Sequence, residues 1–253
     1  FVTPTQIGHF DTFEEMFDHF PPMLSGYQPS FYIEQAEEVS ALQDERLRDR
    51  FLVKMMYILM VKRLESSWFS CLSTVDKLLA HHERALEKVN RYLEQKQAAS
   101  SGANGESDGD FGAGAADDIF PDEDDADAED FTLGKRRKVT LAEIERAGKL
   151  SAFRRDLKRD IASLDSLHSN LRRFRETIDE ELRAARHHHS KDSKLDALMA
   201  QIIEKRRSGR NQQNQKVLIF TVFTDTAFYL FEQLKQRGFS RLAVVSGGET
   251  RTD

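Results

Sequence analysis

Apolar positions recur every three or four residues along two long stretches of the chain, which is the spacing of one helix face. Residues 44–97 contain no proline or glycine, and the second part of this span carries an apolar stripe. The stripe consists of Leu72, Val75, Leu79, His82, Leu86, Val89 and Leu93. Its alternating spacings of three and four residues predict one long helix, or two abutting helices, with a coiled-coil seam.

The second helical stretch covers residues 140–187, and Thr140 followed by Glu143 predicts a capping box at its start. Its stripe consists of Leu150, Phe153, Leu157, Ile161, Leu164, His168, Leu171, Phe174, Ile178 and Leu182. Two seam-bearing helices predict an antiparallel helical hairpin. Before the first seam, Phe51–Val61 is apolar on nearly all sides, which predicts complete burial.

The pattern changes after residue 191. A helix is predicted over 192–207, a strand over 216–221, a helix over 225–236 and a strand over 241–245, with Gly238 ending the second helix. An apolar strand that runs directly into a helix is typical of a parallel α/β sheet. The predicted fold class is therefore mixed: a mostly α-helical hairpin followed by the beginning of an α/β parallel sheet.

Charge is strongly segregated along the 253 residues, although the net charge is only −6. Residues 98–131 carry 12 acidic and no basic side chains, whereas residues 132–253 carry 26 basic and 16 acidic ones. A low-hydrophobicity segment of one charge sign cannot bury enough surface to offset its ordering entropy, so a disordered acidic linker is expected over 98–134. The basic half suits a polyanion, because phosphate neutralisation releases counterions. Solvated basic helix faces are the alternative.

These observations divide the chain into five parts. They are an irregular region with short helices at 1–43, a long helix at 44–97, the acidic linker at 98–134, the second long helix at 135–190 and an α/β region at 191–253. Cys71 is the only cysteine, which excludes an internal disulfide and fits an intracellular compartment. The longest apolar run is too short to cross a bilayer, so no membrane association is expected.

Three segments of the α/β region resemble a known protein family. Lys216–Leu230, with the sequence KVLIFTVFTDTAFYL, resembles the motif that opens the second RecA-like lobe of Swi/Snf-type translocases in helicase superfamily two. Asp192–Leu198 resembles the short helix that precedes that lobe, and Arg241–Arg251 resembles its next strand and turn. Upstream, Val61–Ser67 is similar to a segment of bacterial helicases that lies between their two lobes. By its chemistry alone, that segment is an exposed helix face.

The resemblance implies an inter-lobe helical insertion and the first part of a RecA-like lobe in an ATP-dependent DNA helicase or translocase. It implies nucleic-acid contacts, with double-stranded DNA as the expected ligand, at Thr221, Thr224, Ser246, Gly247 and Gly248. Small hydroxyl side chains and exposed backbone N–H groups can donate to phosphates without reading sequence. Asp225 is expected to cap a helix, because an anion would repel phosphate.

ATP and Mg²⁺ are the cofactors that the resemblance implies for the whole protein. The chain has no G-x-x-x-x-G-K-[ST] phosphate loop and no metal-binding acidic box, so we expect it to be a piece of a motor without ATP turnover of its own. The implied setting is the cytoplasm, in association with the nucleoid. The alternative function is a non-enzymatic coiled-coil adaptor whose helical hairpin binds a protein partner.

Histidines and aromatic residues offer weaker candidates. Three neighbouring residues on a regular helix point about 100° apart, so His187–His189 cannot all bind one ion and no metal site is predicted. His82 and His168 lie on the predicted seams and are expected to pack with hydrogen bonds. Trp68 and Phe69 are expected to fill a core, with stacking on a base as the alternative.

Overall fold

The structure is a computed structural model that describes residues 15–16, 20–33, 39–101, 139–184, 191–208, 213–248 and 250–252. These residues are mostly α-helical, as predicted. The α-helices are α1 (Val39–Ser66), α2 (Trp68–Ser101), α3 (Leu141–Arg146), α4 (Leu150–Arg183), α5 (Ser193–Arg207) and α6 (Thr224–Gln236). Two 3-10 helices, Ser25–Tyr27 and Pro29–Tyr32, precede them, and two strands, β1 (Ala243–Val245) and β2 (Thr250–Thr252), follow.

Helices α5 and α6 begin and end within one residue of the predicted bounds. The second long stretch, predicted as one helix, is instead divided into α3 and α4 at residues 147–149, where Gly148 adopts a φ of 69°. Helix α1 begins at Val39, inside the region predicted to be irregular. The first long stretch forms two abutting helices that meet at Ser67. Thr140 and Glu143 form the predicted capping box at the start of α3. Residues 98–101, which we expected in the acidic linker, instead complete α2, and the remainder of the linker lies outside the described residues.

The chain forms two compact units. Unit 1 comprises Phe1–His19, Met60–Asp76 and Ser166–Asp253, and unit 2 comprises Phe20–Leu59 and Lys77–Asp165. Helices α1, α2 and α4 each contribute residues to both units.

In unit 1, α2 and α4 run antiparallel, as predicted for the hairpin, and in unit 2 the same two helices are in contact. In unit 1, Trp68 packs against Phe174 with ring centroids 5.1 Å apart, and Asp76 lies 2.6 Å from His168 Nε2. In unit 2, Arg154 donates a hydrogen bond of 2.9 Å to Asn90 Oδ1. In unit 1 the partner's number on α4 falls as the number on α2 rises, and this defines the antiparallel direction.

The prediction that Phe51–Val61 is buried on all sides is wrong. Leu52, Met56 and Met60 are buried, whereas Phe51 and Met55 are 53% and 44% exposed. A spacing of four residues keeps the buried side chains on one face of α1. Apolar composition alone did not predict that the residues on the other faces of α1 are exposed.

The described structure does not show the predicted strand at 216–221. Residues 214–221 have no helix or strand geometry, and a bend follows at Val222. Leu218 and Phe220 are 81% and 90% exposed. A strand requires a neighbouring ladder. The described strands β1 and β2 pair antiparallel with each other, with Val244 opposite Arg251. The described residues therefore show a small two-stranded antiparallel sheet and not a parallel one.

Unit 2 holds the 3-10 segment against its helices through buried polar contacts. Ser25 N donates to Asp160 Oδ2 at 2.8 Å, and His81 Nε2 lies 2.9 Å from the carbonyl oxygen of Gly26. A Cβ added to Gly26 would lie 3.1 Å from His81 Cδ2 and 3.3 Å from His82 Cδ2. This close approach explains why the smallest residue occupies position 26.

In unit 1, α5 packs against α6 through a core of Leu195, Met199, Ile202 and Leu234. Helix α6 ends as predicted, because Gly238 adopts a φ of 84°, which favours glycine. The following Phe239 N donates to the carbonyl oxygen of Leu234 at 3.1 Å, and α6 also packs on β1. These contacts with α5 and β1 fix the position of α6, including its N-terminal turn.

Candidate functional site

The junction between α1 and α2 is a single residue, Ser67, which caps the second helix. Its Oγ accepts a hydrogen bond of 3.1 Å from the backbone N of Ser70, and its own N donates to the Arg63 carbonyl at 2.9 Å. A serine in this position satisfies an N–H group that the new helix cannot satisfy internally. The chain can therefore end one helix and begin another without an intervening loop.

Four hydroxyl groups join this junction to the start of α6. Thr226 is 4% exposed, and its Oγ1 lies 2.9 Å from Ser66 Oγ and 2.9 Å from Ser67 Oγ. Thr221 Oγ1 lies 3.4 Å from Ser66 Oγ. Both sides of the turn that leads into α6 thus contact the last residues of α1.

An ion pair strengthens the same contact. Arg63 Nη1 donates to Asp225 Oδ2 at 2.7 Å and to Ser70 Oγ at 3.4 Å, and its guanidinium carbon lies 4.9 Å from the centroid of the Phe223 ring. The Arg63 side chain is 9% exposed and that of Asp225 is 33% exposed. A carboxylate in the first turn of α6 is also favoured by the helix dipole.

These contacts correct two expectations. Arg63 is buried in an ion pair and is not part of an exposed helix face. Asp225 does not cap α6, because the N-cap position is occupied by Phe223 without a side-chain cap bond. Asp225 instead binds Arg63, a partner 162 positions away in the sequence.

A buried triad in unit 1 joins Trp68 at the start of α2, Asp192 ahead of α5 and Tyr229 on α6. Trp68 Nε1 donates to Asp192 Oδ2 at 3.0 Å, and Tyr229 Oη donates to the same oxygen at 2.8 Å. Asp192 also caps α5, because its Oδ1 accepts from the backbone N of Lys194 and of Leu195, each at 3.1 Å. Burial, and then the Asp192 carboxylate, raise the pKa of Tyr229 well above its ordinary value, so its hydroxyl remains a donor.

Trp68 and Phe69 belong to a core, as expected, and the buried Trp68 is not available to stack on a base. Trp68 is 4% exposed and packs edge-on against Tyr229 with ring centroids 5.4 Å apart. Phe69 stacks on Tyr229 with ring centroids 5.3 Å apart.

Lys194 completes the site at the C-terminal end of α1. Its Nζ donates to the carbonyl oxygens of Glu65 and Ser66, the latter at 3.1 Å. Carbonyl groups in the last turn of a helix lack internal partners, and a lysine that binds them also suits the negative end of the helix dipole. We call Arg63, Ser66, Ser67, Trp68, Asp192, Lys194, Thr221, Phe223, Asp225, Thr226 and Tyr229 the junction cluster.

The predicted nucleic-acid residues fall into two groups. Thr224 is exposed, and so are Gly247 and Gly248, where an added Cβ would meet no atom within 4 Å. Thr221 and Ser246 are half-buried, and Thr221 is engaged by Ser66. Thr224, Gly247 and Gly248 therefore have room for a ligand, whereas the hydroxyl of Thr221 serves the junction cluster.

The histidines that the structure describes have structural contacts. His82 Nδ1 lies 2.7 Å from the Leu78 carbonyl, which makes Nδ1 the protonated nitrogen. Burial lowers the pKa of His82 to about 4. No group of three or more potential metal ligands occurs among the described residues, and His187–His189 lie outside them.

Sequence reasoning singled out three segments of the junction cluster but missed how their side chains pair. The Ser66–Ser67 pair ahead of Trp68 carried a usable signal, since serine is a preferred N-cap residue. Nothing in the local pattern connects Arg63 with Asp225, because neither helical period nor strand alternation relates residues so far apart in sequence.

None of the helices in the described part of the chain has the length and hydrophobicity needed to cross a membrane. No protein-family model matches the chain, and neither a curated protein nor a solved structure is significantly similar to it.

Proposed function

We propose that this chain is part of an ATP-dependent DNA translocase or helicase of the Swi/Snf type. It would contribute the helical insertion between two motor lobes and the first nucleic-acid-contacting elements of the second lobe. One observation carries the proposal: the junction cluster joins residues from Val61–Ser67, Asp192–Leu198 and Lys216–Leu230. These are three of the segments that resemble the family, and side-chain contacts bring them together within unit 1.

The exposed apolar segment at 217–222 supports the same proposal. Its apolar side chains are 40–90% exposed, with Val222 and Phe220 the most exposed at 90%. A continuous apolar, β-branched run is typical of a strand that is covered on both faces in a parallel sheet. In a RecA-like lobe this run would be a buried strand, and further strands would supply the ladder that β1 and β2 do not.

ATP and Mg²⁺ would bind mainly to residues outside this chain. Phosphoryl transfer requires a phosphate cradle, a metal and cationic stabilisation of the transition state. Within this chain, the proposed work is nucleic-acid contact by Thr224, Gly247 and Gly248, whose exposure permits approach to a phosphate backbone. Binding to DNA would place the protein on the nucleoid.

We expect Gly247→Glu to weaken duplex DNA binding by the full-length protein about tenfold or more. The new side chain adds bulk where a Cβ now meets no atom, and it adds an anion that repels phosphate. Thr224→Val is expected to weaken binding about fivefold, which corresponds to the loss of roughly 1 kcal/mol for one hydrogen bond. Fluorescence anisotropy with a labelled duplex at fixed salt measures both.

Two matched variants control this experiment. Ala162→Glu adds the same charge on an exposed position of α4, and Thr177→Val removes a hydroxyl that bonds within α4. Both should bind DNA like the parent, and ATP affinity without DNA should be the same in all four variants. Parental DNA affinity in Gly247→Glu and Thr224→Val together would contradict the proposed contacts.

A protein-binding adaptor is the second candidate, and an exposed stripe on α1 favours it. Leu47, Phe51, Met55 and Ile58 are 39–61% exposed and follow one another at spacings of three and four residues. Such spacing forms one apolar helix face that a partner helix could cover. DNA-stimulated ATP hydrolysis by the full-length protein would favour the motor, whereas its absence would favour the adaptor.

A further inference from the structure

We propose that Arg63 is a positioning residue that holds the turn at 221–226 in the conformation that presents Thr224. This inference deepens the proposed function and rests on it. Through Arg63, the junction between α1 and α2 would be connected directly to the nucleic-acid contact at Thr224. A change at the junction would then alter DNA affinity.

The contacts alternate along the turn, and this alternation carries the inference. Thr221 contacts Ser66, Phe223 lies under the Arg63 guanidinium, and Asp225 binds Arg63. The intervening Val222 and Thr224 are exposed. Each exposed residue therefore lies between two residues that contact the end of α1. These contacts restrict the backbone of the turn and leave the Thr224 hydroxyl accessible.

An arginine is needed because one group performs three tasks. Its planar guanidinium bonds a carboxylate, bonds the Ser70 hydroxyl and covers an aromatic ring. A lysine ammonium carries the same charge but cannot present a flat face and a donor fork at once. Arg63→Lys should therefore preserve the charge and relax the turn.

Arg63 also lies on the element that would transmit motion. It is in the last turn of α1, and Ser66 is the final residue of that helix. Ser70, which Arg63 also contacts, is in the first turn of α2. A rotation of α1 against α2 at Ser67 would displace the partners of Thr221, Phe223 and Asp225 together.

A spin label at position 224 tests the restraint without requiring DNA. Thr224→Cys in the 253-residue chain introduces an exposed thiol, while Cys71 is fully buried and burial raises its pKa to about 12, so it resists labelling. Arg63→Lys should broaden the motion of the label, whereas Lys62→Gln, at the exposed neighbouring position, should not. Equal label mobility in the parent and Arg63→Lys would overturn the inference.

DNA binding by the full-length protein completes the test through a double-mutant cycle. Arg63→Lys and Thr224→Val should each weaken duplex binding about fivefold, and the double variant should bind about as weakly as either single one, because residues that act through one contact are not additive. ATP affinity without DNA should not change, which separates positioning from general damage. If Arg63→Lys does not fold, Asp225→Asn, which keeps the side-chain shape, takes its place.

The outcomes separate the two proposals. If Thr224→Val weakens DNA binding but Arg63→Lys does not, or if their effects multiply, the positioning role is wrong and the proposed function stands. If the parent does not bind DNA, both are wrong as stated.

Discussion

Unfolding of unit 1 should become about 3 kcal/mol easier when Asp192 is replaced by alanine. The side chain is 4% exposed and performs three tasks: it caps α5, and it accepts from Trp68 and Tyr229. Loss of an N-cap costs about 1 kcal/mol. Two buried donors that lose a charged acceptor cost roughly 1–3 kcal/mol each, partly offset because Trp68 and Tyr229 can still bond each other at 3.1 Å.

Trp68 reports this change directly, because it is the only tryptophan in the sequence and lies inside the triad. Its fluorescence during urea unfolding gives the free energy for the parent and for Asp192→Ala. Glu176→Ala removes an exposed carboxylate from the part of α4 that belongs to unit 1 and should change that free energy by no more than about 0.5 kcal/mol. A loss below about 1 kcal/mol in Asp192→Ala would show that the triad contributes little to unit 1.

Acid should weaken unit 2 by up to about 3 kcal/mol between pH 6.5 and pH 4 through His82 alone. Burial lowers the pKa of His82 from 6.5 to about 4, so the unfolded chain binds a proton in this range and the folded chain does not. The contribution of neutral His82 to the free energy of unfolding is therefore fully present above pH 6.5. It is lost as the pH falls towards 4, at about 1.4 kcal/mol per pH unit.

Hydrogen exchange of peptides from unit 2 measures this loss, and NMR titration of the imidazole checks the pKa. His82→Asn is the matched variant, because an asparagine can donate to the carbonyl four residues earlier, as Asn170 does to Ser166 at 2.8 Å. The variant should lose the His82 part of the pH slope even if it is less stable at neutral pH. An unchanged slope would contradict the assignment to His82.

Helix periodicity and capping residues were sufficient to predict most of the helical elements. Most stripe residues on α2 and α4 are buried as predicted, with Val75, Val89, Phe153 and Leu164 at 0% exposure. The partly exposed members are Leu86, Leu93, Ile161, His168 and Leu182. Asp192 begins α5 and Gly238 ends α6, as expected from the preferences of these residue types. These features succeed because the interactions that produce them span only three or four residues.

The errors occurred where a residue's environment depends on distant parts of the chain. The 216–221 run has strand composition, but pairing requires another strand, and none of the described residues supplies one. The outer face of Phe51–Val61 is apolar, but only packing decides which side of α1 meets a core. The sequence therefore predicts the secondary structure that a segment can form more reliably than the tertiary contacts that bury it.

By itself, the sequence determined most of the helices, several of their caps, the antiparallel direction of α2 and α4 and the presence of four segments that resemble one family. Only the tertiary structure decided that Arg63 binds Asp225, that Ser66 and Ser67 bind Thr226 and that Asp192 joins Trp68 to Tyr229. The physical reason is range. Helix formation and capping depend on neighbours within one turn, whereas these pairs depend on the packing of α1, α5 and α6, which brings together groups up to 162 positions apart.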